Sequence, residues 1–276
     1  MNRFLKLVNM EIHRFRYILF SLMAVTLLSQ CGLLIWTVQR VVSAKEQGLT
    51  QAEVGYAIPK VLSFPWAIVN AKEWFILPIF LSITVLVLYS IIIWYRDWFG
   101  RSTFIYRLLM LPSARWMLYV SKLSAILLFV FCMLAFQLLL LVGENMLFQW
   151  IVPVDMRTDS TFVEAVTMNY ALEILLPKQF EQFIYSYGLG IIGILVIFTA
   201  VLIERSYRRW GILYGIFYTA ACVATIVSPM VLLGLDRSSG YWYPNEIYMM
   251  ELAVCLLVPV ISIGLGFWLL RKKITV

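Results

Sequence analysis

Histidine is nearly missing: His13 stands alone among 276 residues. A metal centre or an acid–base pair built on imidazole needs partners that the chain lacks, so His13 reads as an interfacial polar residue. Cysteine is almost as scarce. Cys31, Cys132, Cys222 and Cys255 form no CxxC pair and no metal-ligand spacing; all four fall in apolar runs and read as small packing residues. No GxxxxGK(S/T) phosphate loop occurs, so the chain hydrolyses no ATP by itself, and HExxH and GxSxG are missing too. The run Gly188-Leu-Gly190-Ile-Ile-Gly193 spells GxGxxG, but no strand precedes it and it lies in a lipid-length apolar stretch. Charge is the largest deficit: 13% of residues against about a quarter in soluble domains.

In place of charge there are long apolar runs. Hydrophobic residues make up 62% of the chain, and the mean hydropathy is +0.87. Six charge-free runs, 17–39, 74–95, 123–143, 182–203, 210–235 and 252–270, are 19 to 26 residues long. A bilayer core needs about 20 helical residues. The expected fold is therefore an all-α polytopic membrane protein, a single domain of six transmembrane helices over about 17–39, 74–95, 119–143, 182–203, 210–235 and 252–270.

Basic residues orient these spans. Segments 1–16, 96–122, 204–209 and 271–276 hold 15 of the 22 Lys/Arg; the alternate loops, 40–73, 144–181 and 236–251, hold 7. By the positive-inside rule both termini are cytoplasmic. The net charge of +7 is used up in cytoplasmic loops and argues for a membrane surface, not for nucleic acid. Apart from Lys122 near the cytoplasmic surface, the apolar runs hold no ionisable side chain away from their ends, which counts against a proton- or sodium-coupled carrier. An intramembrane hydrolase lacks its nucleophile and base.

Phe4, Val8, Ile12 and Phe15 share one face of a helix over 1–16, with Arg3, Lys6 and Arg14 elsewhere. That pattern predicts an interfacial amphipathic helix anchored in the inner leaflet. Gln30 and Gln137 lie within spans one and three, as helix–helix glue or as the polar lining of a substrate path. Residues 61–71 are apolar enough to dip into the outer leaflet, and 144–181 reads as a small external loop with a short helix. Gly211, Gly215 and Thr219 form a small-residue ridge suited to close helix contact, within the chain or between copies.

The most informative stretch runs from Arg96 to Lys122. Phe104, Ile105, Leu108, Leu109 and Leu111 fall on one helical face; Tyr106, Arg107 and Met110 fall on the other. Pro112 ends that helix, and Ser113 is suited to cap the next. Trp116, Tyr119 and Lys122 then re-enter the bilayer.

This segment, Arg107-Leu-Leu-Met-Leu-Pro112-Ser-Ala-Arg115 followed by Lys122, resembles the cytoplasmic coupling segment of ABC-2 type (type V exporter-like) ABC transporter permease subunits. The basic N-terminal helix and six spans with both ends inside fit the same family. The resemblance implies that 96–118 is a coupling segment that docks a separate cytoplasmic ABC ATPase through Phe104, Tyr106, Arg107, Leu108, Leu109, Met110, Leu111, Pro112 and Arg115. It further implies that ATP and magnesium bind on that ATPase and no cofactor binds this chain. A second permease, as homodimer or heterodimer, would complete an exporter of hydrophobic or amphipathic substrates (peptide, antibiotic or lipid-linked molecule) in a bacterial plasma membrane. The alternative is a membrane sensor or scaffold that engages its partner through 96–118 and transports nothing.

Overall fold

The computed structural model describes residues 3–47, 61–99, 115–158, 160, 162–168, 170–177, 179–234 and 244–273. They form nine helices: α1 Arg3–Glu46, α2 Phe64–Asn70, α3 Lys72–Phe99, α4 Arg115–Ile151, α5 Phe162–Met168, α6 Tyr170–Leu175, α7 Phe180–Ser206, α8 Gly211–Gly234 and α9 Pro244–Lys272. Among the described residues the only β pairing is a single bridge between Leu62 and Arg157. Six of the helices (α1, α3, α4, α7, α8 and α9) are long and apolar enough to cross a bilayer. Their outward faces carry large apolar side chains such as Phe20, Leu28, Leu139 and Phe217, which water does not favour and lipid does. The chain is an all-α polytopic membrane protein.

Two helices exceed what a span requires. α1 has 44 residues and rises about 66 Å at 1.5 Å per residue, against a hydrocarbon core of about 30 Å. It runs without a break through residue 16, so the predicted interfacial helix is not a separate element. Its expected lipid-anchoring face turns inward instead: Val8 and Phe15 are buried, Phe4 and Ile12 are half-buried, and Phe15 lies on Phe129 of α4 with ring centroids 4.5 Å apart. The physical reason is continuity. A helix that does not bend at the membrane surface keeps its apolar stripe on one side, where neighbouring helices cover it. α4, with 37 residues, likewise extends past its predicted end and takes in Glu144.

The residues cluster into two compact units. One comprises 1–12, 87–127 and 184–276; the other comprises 13–86 and 128–183. In the second unit, Ser63 caps α2 by accepting from the Trp66 N–H at 3.4 Å, and Pro65 occupies the first turn, where its missing N–H is harmless. The apolar side of α2 is covered: Phe64, Ala67 and Ile68 are buried, and the Phe64 ring meets that of Phe148 on α4 at 5.9 Å. Much of 61–71 therefore packs on protein, while Val61 and Val69 stay exposed. Leu62 N–H donates to the Met156 carbonyl at 2.8 Å, and Thr158 N–H donates to the Leu62 carbonyl at 2.9 Å. These bonds tie the segment before α2 to the segment after α4.

In the first unit α7, α8 and α9 interlock. Thr199 of α7 donates to the Ser262 carbonyl of α9 at 2.9 Å, and the Tyr218 hydroxyl of α8 meets the Ser262 hydroxyl at 2.7 Å. The predicted small-residue ridge is used inside the chain. A Cβ on Gly211 would lie 2.1 Å from the Glu204 carbonyl oxygen, and one on Gly215 would lie 3.2 Å from that of Ala200, so α8 approaches the backbone of α7 through these two glycines. The Thr219 hydroxyl donates to carbonyls of its own helix, Gly215 at 3.1 Å and Ile216 at 2.8 Å.

Candidate functional site

Residues 104–112, the predicted docking helix and its proline corner, lie outside the described residues. The helices that lead into and out of it are described, and they meet in a buried ionic junction. Lys122, about two turns into α4 from Arg115, is fully buried. Its ammonium donates to Asp97 Oδ2 on α3 at 2.5 Å, to Glu11 Oε1 on α1 at 3.0 Å and to the Ile93 carbonyl at 3.0 Å. All three N–H donors of the lysine are used. Glu11 is itself buried, and its other oxygen accepts from Arg96 Nη2 at 2.6 Å. The Arg96 guanidinium also contacts the Tyr89 hydroxyl at 3.4 Å.

The junction thus sets two acids against two bases and is formally neutral. That balance permits burial, since an uncompensated charge there would cost several kcal/mol. It also fixes geometry: Asp97 lies before residues 100–114 and Lys122 after them, and Lys122 holds Asp97 and the first helix together. Arg115 adds a further tie, donating from Nη1 to the Leu270 carbonyl at the end of α9, 2.9 Å away. That carbonyl belongs to the last turn, where helix C=O groups lack partners and favour a cation.

Beside the ions stands an aromatic cluster. Trp94 lies 5.5 Å from Phe198 and 6.2 Å from Tyr119; Tyr119 lies 5.5 Å from both Phe198 and Phe267. Three of these pairs are edge-to-face, each worth about 0.5–1.5 kcal/mol beyond its buried area. Gly266 makes room for the cluster, because a Cβ there would sit 3.0 Å from the Tyr119 ring. The Trp94 ring also faces the Lys122 ammonium at 5.3 Å. Nearby the Tyr95 hydroxyl donates to Glu204 of α7, and the Arg205 guanidinium lies 4.5 Å from the Tyr95 ring.

Nothing in this arrangement supplies a nucleophile–base pair, and among the described residues no group of three His, Cys, Asp or Glu side chains is placed to hold a metal. What the junction can do is mechanical. It locks three helix ends into one body, so a displacement applied between Asp97 and Lys122 reaches α1, α3 and α4 together.

The second predicted polar feature is also brought together. Gln137 Nε2 donates to Gln30 Oε1 at 3.0 Å, both side chains being buried. Two residues of consequence are missing from the sequence reading. Glu11 sits on the buried stripe with Leu7, Val8 and Phe15; an acid on an apolar helical stripe was the available signal. Glu144 was read as the first residue of the external loop, whereas it lies inside α4 and is fully buried. With an acid buried inside a long apolar helix, the chain no longer lacks the feature expected of a coupled carrier.

No protein-family model, curated protein or solved structure matches this chain.

Proposed function

We propose that this chain is the membrane-spanning permease subunit of an ABC-2 type exporter, moving a hydrophobic or amphipathic substrate and driven by a separate cytoplasmic ABC ATPase. One observation carries the reading: the helices flanking 100–114 are clamped by Lys122, Asp97, Glu11 and Arg96 into a rigid base. An amphipathic helix mounted on such a base moves as a unit with the spans when a partner pushes on it. The motif Arg107–Arg115 supplies the docking chemistry. In this reading the junction lies at the cytoplasmic surface of a bacterial plasma membrane, both termini are cytoplasmic, and the permease works as a pair with a copy of itself or a sister chain.

The test is co-expression with candidate cytoplasmic ABC ATPases, followed by purification and an assay of Mg-ATP hydrolysis. The complex should hydrolyse ATP, and Tyr106→Ala with Arg107→Glu, or alternatively Phe104→Ser with Leu108→Ser, should abolish association while the chain still inserts. If neither pair alters association or hydrolysis, 96–118 is not a coupling segment. Association with ATP hydrolysis but without movement of any substrate would leave the sensor or scaffold as the better description.

A further inference from the structure

Glu144 has no account in the junction or in the packing. It is fully buried in α4, and neither carboxylate oxygen has a hydrogen-bond partner among the described residues. It lies seven residues beyond Gln137, hence on the same face of the helix and about 10 Å further along it. Across from that face runs α1, where Gln30 accepts the Gln137 bond. The Gln30 amide nitrogen is buried and likewise has no partner among the described residues. Helix glue explains the one bond between the two amides. It leaves three buried polar atoms over: both oxygens of Glu144 and Nε2 of Gln30.

We propose that Glu144 and the Gln30–Gln137 pair form a binding site for an organic cation, the ammonium or guanidinium group of an amphipathic substrate. The inference rests on the permease reading and names the substrate class for it. When ionised, the carboxylate only accepts hydrogen bonds, and a donor-bearing cation is the ligand that would offset the cost of its buried charge. The free amide N–H of Gln30 is a donor and takes an acceptor on the same molecule, such as a carbonyl. Leu34, Val38, Leu141 and Phe148 are buried along the same two helices, so the surroundings of the site are apolar. An amine on a hydrophobic frame meets all of these demands.

The probe is dansylcadaverine, a primary amine on an aromatic body, titrated by fluorescence anisotropy into the full chain in nanodiscs of zwitterionic lipid. Saturable binding is expected for the wild type. Acetylating the amine, which removes its charge and nothing of its apolar body, should weaken binding about tenfold or more, as loss of a charged hydrogen bond predicts. Glu144→Gln, close to isosteric, should weaken the amine by a similar factor and leave the acetylated probe unaffected. Equal binding of the two probes by the wild type overturns the proposal, and that comparison requires no variant to fold. So does unchanged amine binding by Glu144→Gln. Displacement of the probe by sodium but not by caesium, at constant ionic strength, gives the site to an inorganic cation and also overturns it. No ATPase enters the assay, so its outcome is separate from that of the co-purification: amine binding without ATPase association would retain the site and remove the permease.

Discussion

Two fully buried ionisable side chains lie on the same helix and live under opposite conditions. Lys122 of α4 spends all three donors on Glu11, Asp97 and the Ile93 carbonyl. Glu144 of α4 has nothing for either oxygen among the described residues. A buried charge that is paired holds a structure in one arrangement; a buried acid left unpaired works against the fold unless something else brings the missing partner. The first condition belongs to a structural lock and the second to a site. The contrast separates the junction, whose task is rigidity, from the α1–α4 seam, whose task is to receive a ligand.

One substitution made at both positions tests the contrast most severely. Methionine resembles both side chains in length and removes the ionisable group. Lys122→Met leaves Glu11 and Asp97 buried beside each other with only Arg96 to compensate, and should lose about 3–5 kcal/mol. Heat-induced loss of the monodisperse protein in detergent would report it as a large fall in the midpoint. Adding Asp97→Asn should recover part of the loss, because it removes one of the stranded charges. A Lys122→Met protein that melts with the wild type would show that the junction holds nothing.

Glu144→Met should move the midpoint the other way. Removing a buried polar group that has no partner relieves about 1–3 kcal/mol, and methionine fills the space with an adaptable apolar chain. The same variant should lose affinity for the amine probe. Destabilisation by Glu144→Met would break the comparison, since it would mean that the carboxyl group already has a stabilising partner in the folded protein.

How much of this could be read in the residues follows the same division. Six spans, and the pairing of the amides of spans one and three as one of two options, were legible because apolar length and a rare polar side chain in an apolar run are local signals. The partners of Lys122 were not. Glu11 and Asp97 lie 111 and 25 residues away from it in sequence, and nothing local says which acid closes on which base. The N-terminal amphipathic face was visible as a pattern, but a pattern does not tell lipid from protein; the unbroken α1 decides that by holding Phe15 against Phe129. Glu144 misled for a related reason. It follows the charge-free run directly, but the end of such a run is not the end of a helix: α4 continues to Ile151, with Phe148 and Val152 buried at its terminus. The docking face of 104–111 lies outside the described residues, so its assignment still rests on the motif.

The smallest effect expected is at Gln137, and it sharpens the comparison most finely. Gln137 is neutral, and it gives its amide to Gln30 at 3.0 Å, so it stands between the paired lysine and the unpaired acid. Interhelical hydrogen bonds of this kind contribute about 0.6 kcal/mol on average. Gln137→Leu removes the bond and a buried amide together, while the Gln30 oxygen loses its donor. Stability should therefore fall by about 1 kcal/mol or less, a shift near the limit of a melting measurement. Binding should respond differently. If the pair only glues α1 to α4, the affinity of the amine probe stays as it was. If the pair sets the position of Gln30 beside the ligand, the amine weakens about threefold, a change of less than 1 kcal/mol, at almost unchanged stability. Gln30→Leu, which also removes the free N–H, should then weaken it at least as much. Wild-type affinity in both variants would confine the site to Glu144 and return the two amides to a purely structural role.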